Sequence, residues 1–183
     1  MRMARMARED GPVAALESFM ANDALVFAPT ATSAKTYLGN SPVFPPTDWQ
    51  VHSVISSCDG TLAITQGAIT WGETPGRYVT VWQRQPRGRG ADYRWVLSDG
   101  DGVEQSLDKP DIISTRIASC DDIPEPVAGP QTDPADNGRA TSVDGSLRYE
   151  WWSRPDGSRD VIVEMWDGAN FEGVVTHAVR IDS

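Results

Sequence analysis

Between Trp49 and Asp99 the chain reads as four strands in succession, 48–57, 61–71, 77–85 and 92–99, separated by Asp59-Gly60, Pro75-Gly76 and the tip in "RQPRGRGADYR". Val, Ile, Thr, Trp and Tyr dominate these segments, and branched or aromatic side chains suit a pleated surface. The connections are short and carry Gly or Pro, so they join the strands as antiparallel hairpins. Side chains alternate along a strand. Tyr78, Thr80 and Trp82 therefore share one face of the third strand, and Arg77, Val79 and Val81 share the other; the same rule aligns Tyr93, Trp95, Leu97 and Asp99 on the fourth.

Ahead of the hairpins, residues 2–21 place Met3, Met6, Val13, Leu16 and Met20 on roughly one side of a helix, which Gly11-Pro12 breaks or restarts, giving one helix or two. Asn22-Asp23 is read as its stop, and "ALVFAP" as a short extended segment closed by Pro29. A small helix is expected near Ser33–Leu38. Helices followed by a run of hairpins predict an α+β domain in which a curved antiparallel sheet wraps onto helices. Residues 121–140 hold four Pro and six acidic or Asn positions and read as a linker. Beyond it, "SLRYEWWSR", "RDVIVEMW" and "NFEGVVTHAVRI" form a three-stranded β extension. A meander of that size is marginal alone, so residues 141–183 should pack on, or extend, the main sheet of residues 1–120. "DGTLAI" at 59–64 and "DGSLRY" at 144–149 are alike, but turn-into-strand chemistry accounts for both, and no repeat is inferred.

Charge narrows the partners. Residues 1–120 carry 11 Lys/Arg against 13 Asp/Glu, and 121–183 carry 5 against 13. An acidic balance opposes nucleic acid and anionic membranes, whose binding rests on clustered cations. The one basic cluster, Arg84, Arg87, Arg89 and Arg94, falls on a solvated hairpin tip. No stretch approaches the ~20 apolar residues of a membrane span. "MRMARMARED" lacks the apolar core of a signal peptide, which makes the chain as given cytoplasmic, or the mature form of an exported protein if Cys58 and Cys120 are bridged. A disulfide between them and two free buried thiols both fit the sequence. Metal binding is not expected, because neither Cys has a spaced ligand partner.

The helix, "ANDALVFAP", a small helix, and hairpins ending in "YVTVW" and "YRWVLSDGDG" together resemble the nuclear transport factor 2-like superfamily, which includes ketosteroid isomerase and SnoaL-like cyclases. The resemblance covers about residues 3–103 and is closest to uncharacterised bacterial members. It implies a cone: a strongly curved sheet around a long helix, an apolar cavity with polar groups at its mouth, and a homodimer through the open face of the sheet. In the isomerases the segment resembling "ANDALVFAP" carries a general-base carboxylate immediately before the proline; that position is Ala28 here, and Thr80 stands where the resemblance places a further acid. No tyrosine precedes Tyr37 to serve as the first-helix oxyanion donor. The isomerase mechanism needs a proton acceptor and a charge stabiliser together, so the resemblance does not carry it over.

Other groups are available. Asp23 reads as a turn or cap residue. Asp99 and Asp101 in "LSDGDGVE" leave the sheet near the expected cavity mouth, where a carboxylate beside Trp95 and Tyr78 is placed to act as a general acid or base, with Tyr78 donating a hydrogen bond. His52 and His177 read as surface or rim residues, with Gln50 and Val54 on the face of His52. No Gly-x-Ser-x-Gly elbow pairs with either histidine, and no glycine-rich phosphate loop implies a nucleotide cofactor; no cofactor is expected. Phe27, Trp71, Tyr78, Trp82 and Trp95 are packed core in an ordinary sheet, and cavity lining in a cone. Trp151 and Trp152, adjacent on one strand, must point to opposite faces. The first reading is a protein that binds a small apolar molecule in a pocket lined by those five aromatics. The second is a divergent lyase, isomerase or cyclase using Asp99 or Asp101. The third is a protein-interaction module acting through the acidic C-terminal meander.

Overall fold

A computed structural model describes residues 2–40, 44–88, 90–125 and 136–181, without the side chain of Arg87. The fold is α+β: three helices, a mixed seven-stranded sheet and a separate four-stranded antiparallel sheet. Neither sheet is strongly curled, and the helices are short, so the long helix and tight cone implied by the resemblance are not what organises this chain.

Helices α1 (Arg2–Asp10) and α2 (Pro12–Phe19) are two because Gly11 takes φ +93°, left-handed backbone that favours glycine, and Pro12 then opens α2 where its missing N–H costs nothing. The stop falls earlier than Asn22-Asp23: Met20 is already extended, and β1 (Met20–Phe27) runs through both residues. Strand β2 (Ala31–Ser33) pairs back on β1, and α3 (Ala34–Asn40) follows. The hairpin run appears as β3 (Thr47–Ser56), β4 (Leu62–Trp71), β5 (Thr74–Arg87) and β6 (Gly90–Gly102). Strand β7 (Ser114–Ile117), which the pattern did not reveal, lies parallel on β3, and the sheet order is β2-β1-β6-β5-β4-β3-β7. Of the basic cluster, Arg89 lies outside the described residues; the hairpin that carries it is present.

The second sheet has four strands, not three. Strand β8 (Asn137–Thr141) begins inside the segment read as linker, followed by β9 (Leu147–Ser153), β10 (Arg159–Trp166) and β11 (Phe171–Val179), in the order β11-β10-β9-β8. Residues 121–125 of that segment form neither helix nor strand, and 126–135 lie outside the described residues. This sheet does not extend the first; it packs on its face.

The first sheet is thus the middle layer of three. On one side Ala4, Ala7 and Ala15 of α1 and α2 meet Trp49, Ile69 and Tyr78. On the other, Ile64, Val79, Val81 and Leu97 meet Leu147, Trp151, Val161 and Val163 of the second sheet, all buried. Each such aliphatic side chain contributes about 1.5–3 kcal/mol. Cys58 and Cys120 are bridged, with Cα atoms 5.3 Å apart, which ties the chain after β7 to the β3–β4 turn.

Candidate functional site

The helix-side face of the first sheet carries the site. Register places Val54, Thr65, Thr80 and Ser98 in one row across β3, β4, β5 and β6, and because β5 alternates, Tyr78 and Trp82 flank Thr80 on the same face. Helix α1 stands over this row. Between them lies a cavity of about 390 Å³ walled by Met3, Phe19, Trp49, Val54, Tyr78 and Trp82, with Arg2 and Asp92 its charged lining groups.

Its polar groups are held in pairs, one of them reaching Ser98 of the adjoining smaller cavity. Trp82 Nε1 donates to Thr65 Oγ1 at 2.9 Å, and the Thr80 and Ser98 hydroxyls are 3.1 Å apart. Burial raises the pKa of Tyr78 far above the ordinary tyrosine value, and the hydrogen bond with Thr65 only partly offsets this. The phenol is therefore held protonated, with Thr65 as its hydrogen-bond partner at the chamber wall. An apolar chamber with a few convergent hydroxyls is the usual make-up of a small-molecule site.

A second cavity of about 220 Å³ adjoins it, sharing Trp49 and Tyr78 as a wall and lined also by Phe27, Trp71, Trp95 and Asp99. Trp71 is seated there over two glycines: a Cβ on Gly76 would come within 2.4 Å of its ring, and one on Gly100 within 2.7 Å. Trp95 Nε1 is committed to the carbonyl of Leu16 at 2.8 Å. The five aromatics are therefore divided. Tyr78 and Trp82 line the larger chamber, while Phe27, Trp71, Tyr78 and Trp95 line the smaller. Ala28 lines neither.

The alignment of Tyr93, Trp95, Leu97 and Asp99 on one face does not hold. Trp95 lies opposite Trp82 but Leu97 opposite Val81, so Val96 is an extra residue in β6, and such a bulge reverses the phase of every side chain beyond it. Asp99 consequently pairs with Val79 and points at the second sheet, whereas Tyr78 pairs with Gly100 and faces the helices. Arg159 Nε donates to both carboxylate oxygens of Asp99 at 2.9 Å, and the Arg159 Nη2 donates to the Gly100 carbonyl at 3.0 Å. The Nε2 of His177 lies 3.1 Å from Asp99 Oδ2, off the line of a hydrogen bond. Their side chains are 2%, 11% and 5% exposed for Asp99, Arg159 and His177, which makes His177 an interior residue and not a rim one. Asp101 is paired with Arg77 at 3.1 Å. A second bulge, at His52, separates it from the face of Val54, and its Nε2 meets Gln50 Oε1 at 3.0 Å.

Several lining residues were not singled out from the sequence: Phe19, Trp49, Val54 and Thr65. Trp49 and Thr65 were within reach of simple alternation; Val54 was not, because the His52 bulge shifts its phase. Among the described residues no group of three or more His, Cys, Asp or Glu could hold a metal ion, and no helix is long and apolar enough to cross a membrane. Neither protein-family models nor the curated proteins gave a match to this chain.

Proposed function

We propose that this chain binds a small, largely apolar molecule in the larger cavity, and that it is a divergent relative of the nuclear transport factor 2-like proteins. The observation that carries the binding reading is the chamber itself: about 390 Å³ of open space between α1 and the sheet, walled by aromatic and aliphatic side chains. An interior without a ligand to hold would be expected to close to the density of ordinary protein cores. The kinship is supported by the order of elements, helices first and then hairpins, with the cavity between the helices and one sheet face.

Tyr78 and the Thr65–Trp82 pair give the ligand a chemistry. A protonated phenol presented among apolar walls suits a molecule with one acceptor group, a carbonyl or an ether oxygen, on an apolar body. The alternative of a divergent lyase, isomerase or cyclase routes proton transfer through Asp99 or Asp101. Both carboxylate oxygens of Asp99 are taken up by Arg159, Asp99 and Tyr78 face opposite sides of the sheet, and Asp101 is paired with Arg77; these contacts favour binding over proton transfer. The interaction-module alternative rests on Trp152. Trp151 is packed edge-to-face on Phe27 at 5.6 Å, and Trp152 takes the outer face of its strand.

A titration with an environment-sensitive apolar dye tests the reading. The wild-type protein should bind the dye saturably at one site and quench or shift its own tryptophan emission. Val54→Trp, which fills the chamber from its floor, should weaken binding at least tenfold while the far-ultraviolet spectrum stays unchanged. Equal binding by both proteins would place the dye elsewhere and remove the support for this site.

A further inference from the structure

The strands β3–β6 and β8–β11 form the same antiparallel meander, each strand beside its neighbour in sequence. The turns that join β3 to β4 and β8 to β9 share one pattern, Ser57-x-Asp59-Gly60-Thr61-Leu62 and Ser142-x-Asp144-Gly145-Ser146-Leu147. In each, the serine hydroxyl donates to the aspartate and accepts from the leucine N–H, and the glycine takes a positive φ. With Leu62 set against Leu147, the registers coincide. Arg77, Val79 and Val81 stand where Arg159, Val161 and Val163 stand, and a bulge follows Val81 and Val163 alike. Asp99, opposite Val79, then corresponds to His177, opposite Val161.

The contacts between the two meanders are reciprocal. The N–H of Asp59 donates to Asp144 Oδ2 at 2.8 Å and that of Asp144 to Asp59 Oδ2 at 3.0 Å. The N–H of Cys58 donates to Ser146 Oγ, and that of Val143 to Thr61 Oγ1, both at 2.9 Å. Arg77 reaches the Ala178 carbonyl at 2.6 Å, and Arg159 reaches that of Gly100, the corresponding position, at 3.0 Å. The corresponding residues Asp99 and His177 meet each other at 3.1 Å. Contacts in which i touches j and j touches i, with a position touching its own equivalent, mark a twofold axis.

We infer that the second sheet is an internal copy of the first meander, docked about a local twofold axis as one subunit of a homodimer docks on the other. The partner of the inner face of the first sheet is thus residues 137–179 of the same chain. The homodimer that the resemblance implies would use this face, and a second copy is excluded from it. Among the described residues the helices stand on the first meander, and the larger cavity lies between them and its outer face.

An exchange of the axial residues tests the equivalence. Asp99→His and His177→Asp should each lower Tm. Combined, they should recover at least half of the summed loss, because Arg77 stands to position 177 as Arg159 stands to 99 and can hold the relocated carboxylate. A double variant that loses the full sum, or more, would overturn the twofold. Should those variants not fold, the turns decide. Asp59→Ala and Asp144→Ala should lower Tm by similar amounts, each by about 3–6 °C, and together by less than their sum; unequal or additive losses would contradict the reciprocity. The wild-type Tm should stay constant over a hundredfold range of protein concentration, and a rise with concentration would show the copies pairing between chains.

Discussion

Asp99 and Asp48 both accept from an arginine, and their surroundings decide what those ion pairs are worth. Asp48 meets Arg8 at 2.7 Å with more than half of each side chain exposed, a setting in which such pairs contribute about 0–1 kcal/mol. Asp99 meets Arg159 with almost no exposure on either side, and removing one partner of a buried pair leaves an uncompensated charge at a cost of about 3–5 kcal/mol. Arg159→Ala should therefore lower the free energy of unfolding by about that much in denaturant titrations, while Arg8→Ala should change it by less than about 0.5 kcal/mol. Asp144 is sensitive to acid for a related reason. Burial works against its charge, but hydrogen bonds from Ser142, the backbone N–H groups of Ser146 and Asp59 and the Ser146 hydroxyl outweigh it and hold its pKa below the usual carboxylate range. A depressed folded-state pKa gives stability that is complete above the unfolded value, about 3.9, and is lost as pH falls below it toward the folded value. Acid titrations of Tm should accordingly show a shallower loss below about pH 4 in Asp144→Ala than in the wild type, and parallel curves would argue against the role given to this carboxylate.

At the scale of elements, the hairpins were legible because their signal is local: Asp59-Gly60 and Gly88 punctuate, and branched and aromatic residues fill the strands between them. The middle turn was misplaced, since it falls at Gly72-Glu73, while Pro75 and Gly76, read as the break, are paired inside β5. The bulges were not legible. Nothing in "YRWVLSD" announces that Val96 is extra, and it is cross-strand pairing with Trp82 and Val81 that reverses the phase and turns the Asp99 side chain away from the face of Trp95 and Tyr78. Short strands such as β7 and β8 escape for a similar reason, since a partner and not a pattern makes them extended. The bond between Cys58 and Cys120 could be posed but not decided from sequence, as it depends on the chain after β7 returning along β3. It closes a loop with a sequence separation of 62. Chain-entropy reasoning puts its contribution at up to about 4 kcal/mol. Reduction, or Cys120→Ser, should lower Tm by several degrees without loss of helix or sheet signal, and an unchanged Tm would show that the β3–β7 pairing holds this segment unaided.

The molecule as a whole divides its work between the two faces of one sheet. The face toward the helices keeps open space and hydroxyls, while the opposite face is closed by the second sheet, whose inward residues Trp151, Val161 and Val163 fill against it. Four of the five aromatics chosen from the sequence lie at the smaller cavity and two at the larger, with Tyr78 common to both. Alternation on β5 puts Tyr78 and Trp82 on one face, while Phe27, Trp71 and Trp95 come from three other strands, β1, β4 and β6, that only the sheet pairing brings near. The likeness between "DGTLAI" and "DGSLRY" held more than it showed: a six-residue turn match is too common to establish a repeat, and only the paired registers and reciprocal hydrogen bonds give it weight. The central claim is that the chamber under α1 holds an apolar molecule, and native mass spectrometry of the purified full chain beside its denatured mass tests it most directly. The account predicts a non-covalent adduct of small mass on the wild type that disappears in Val54→Trp. A wild-type protein that carries no adduct and takes up none from a panel of apolar carbonyl compounds would contradict it.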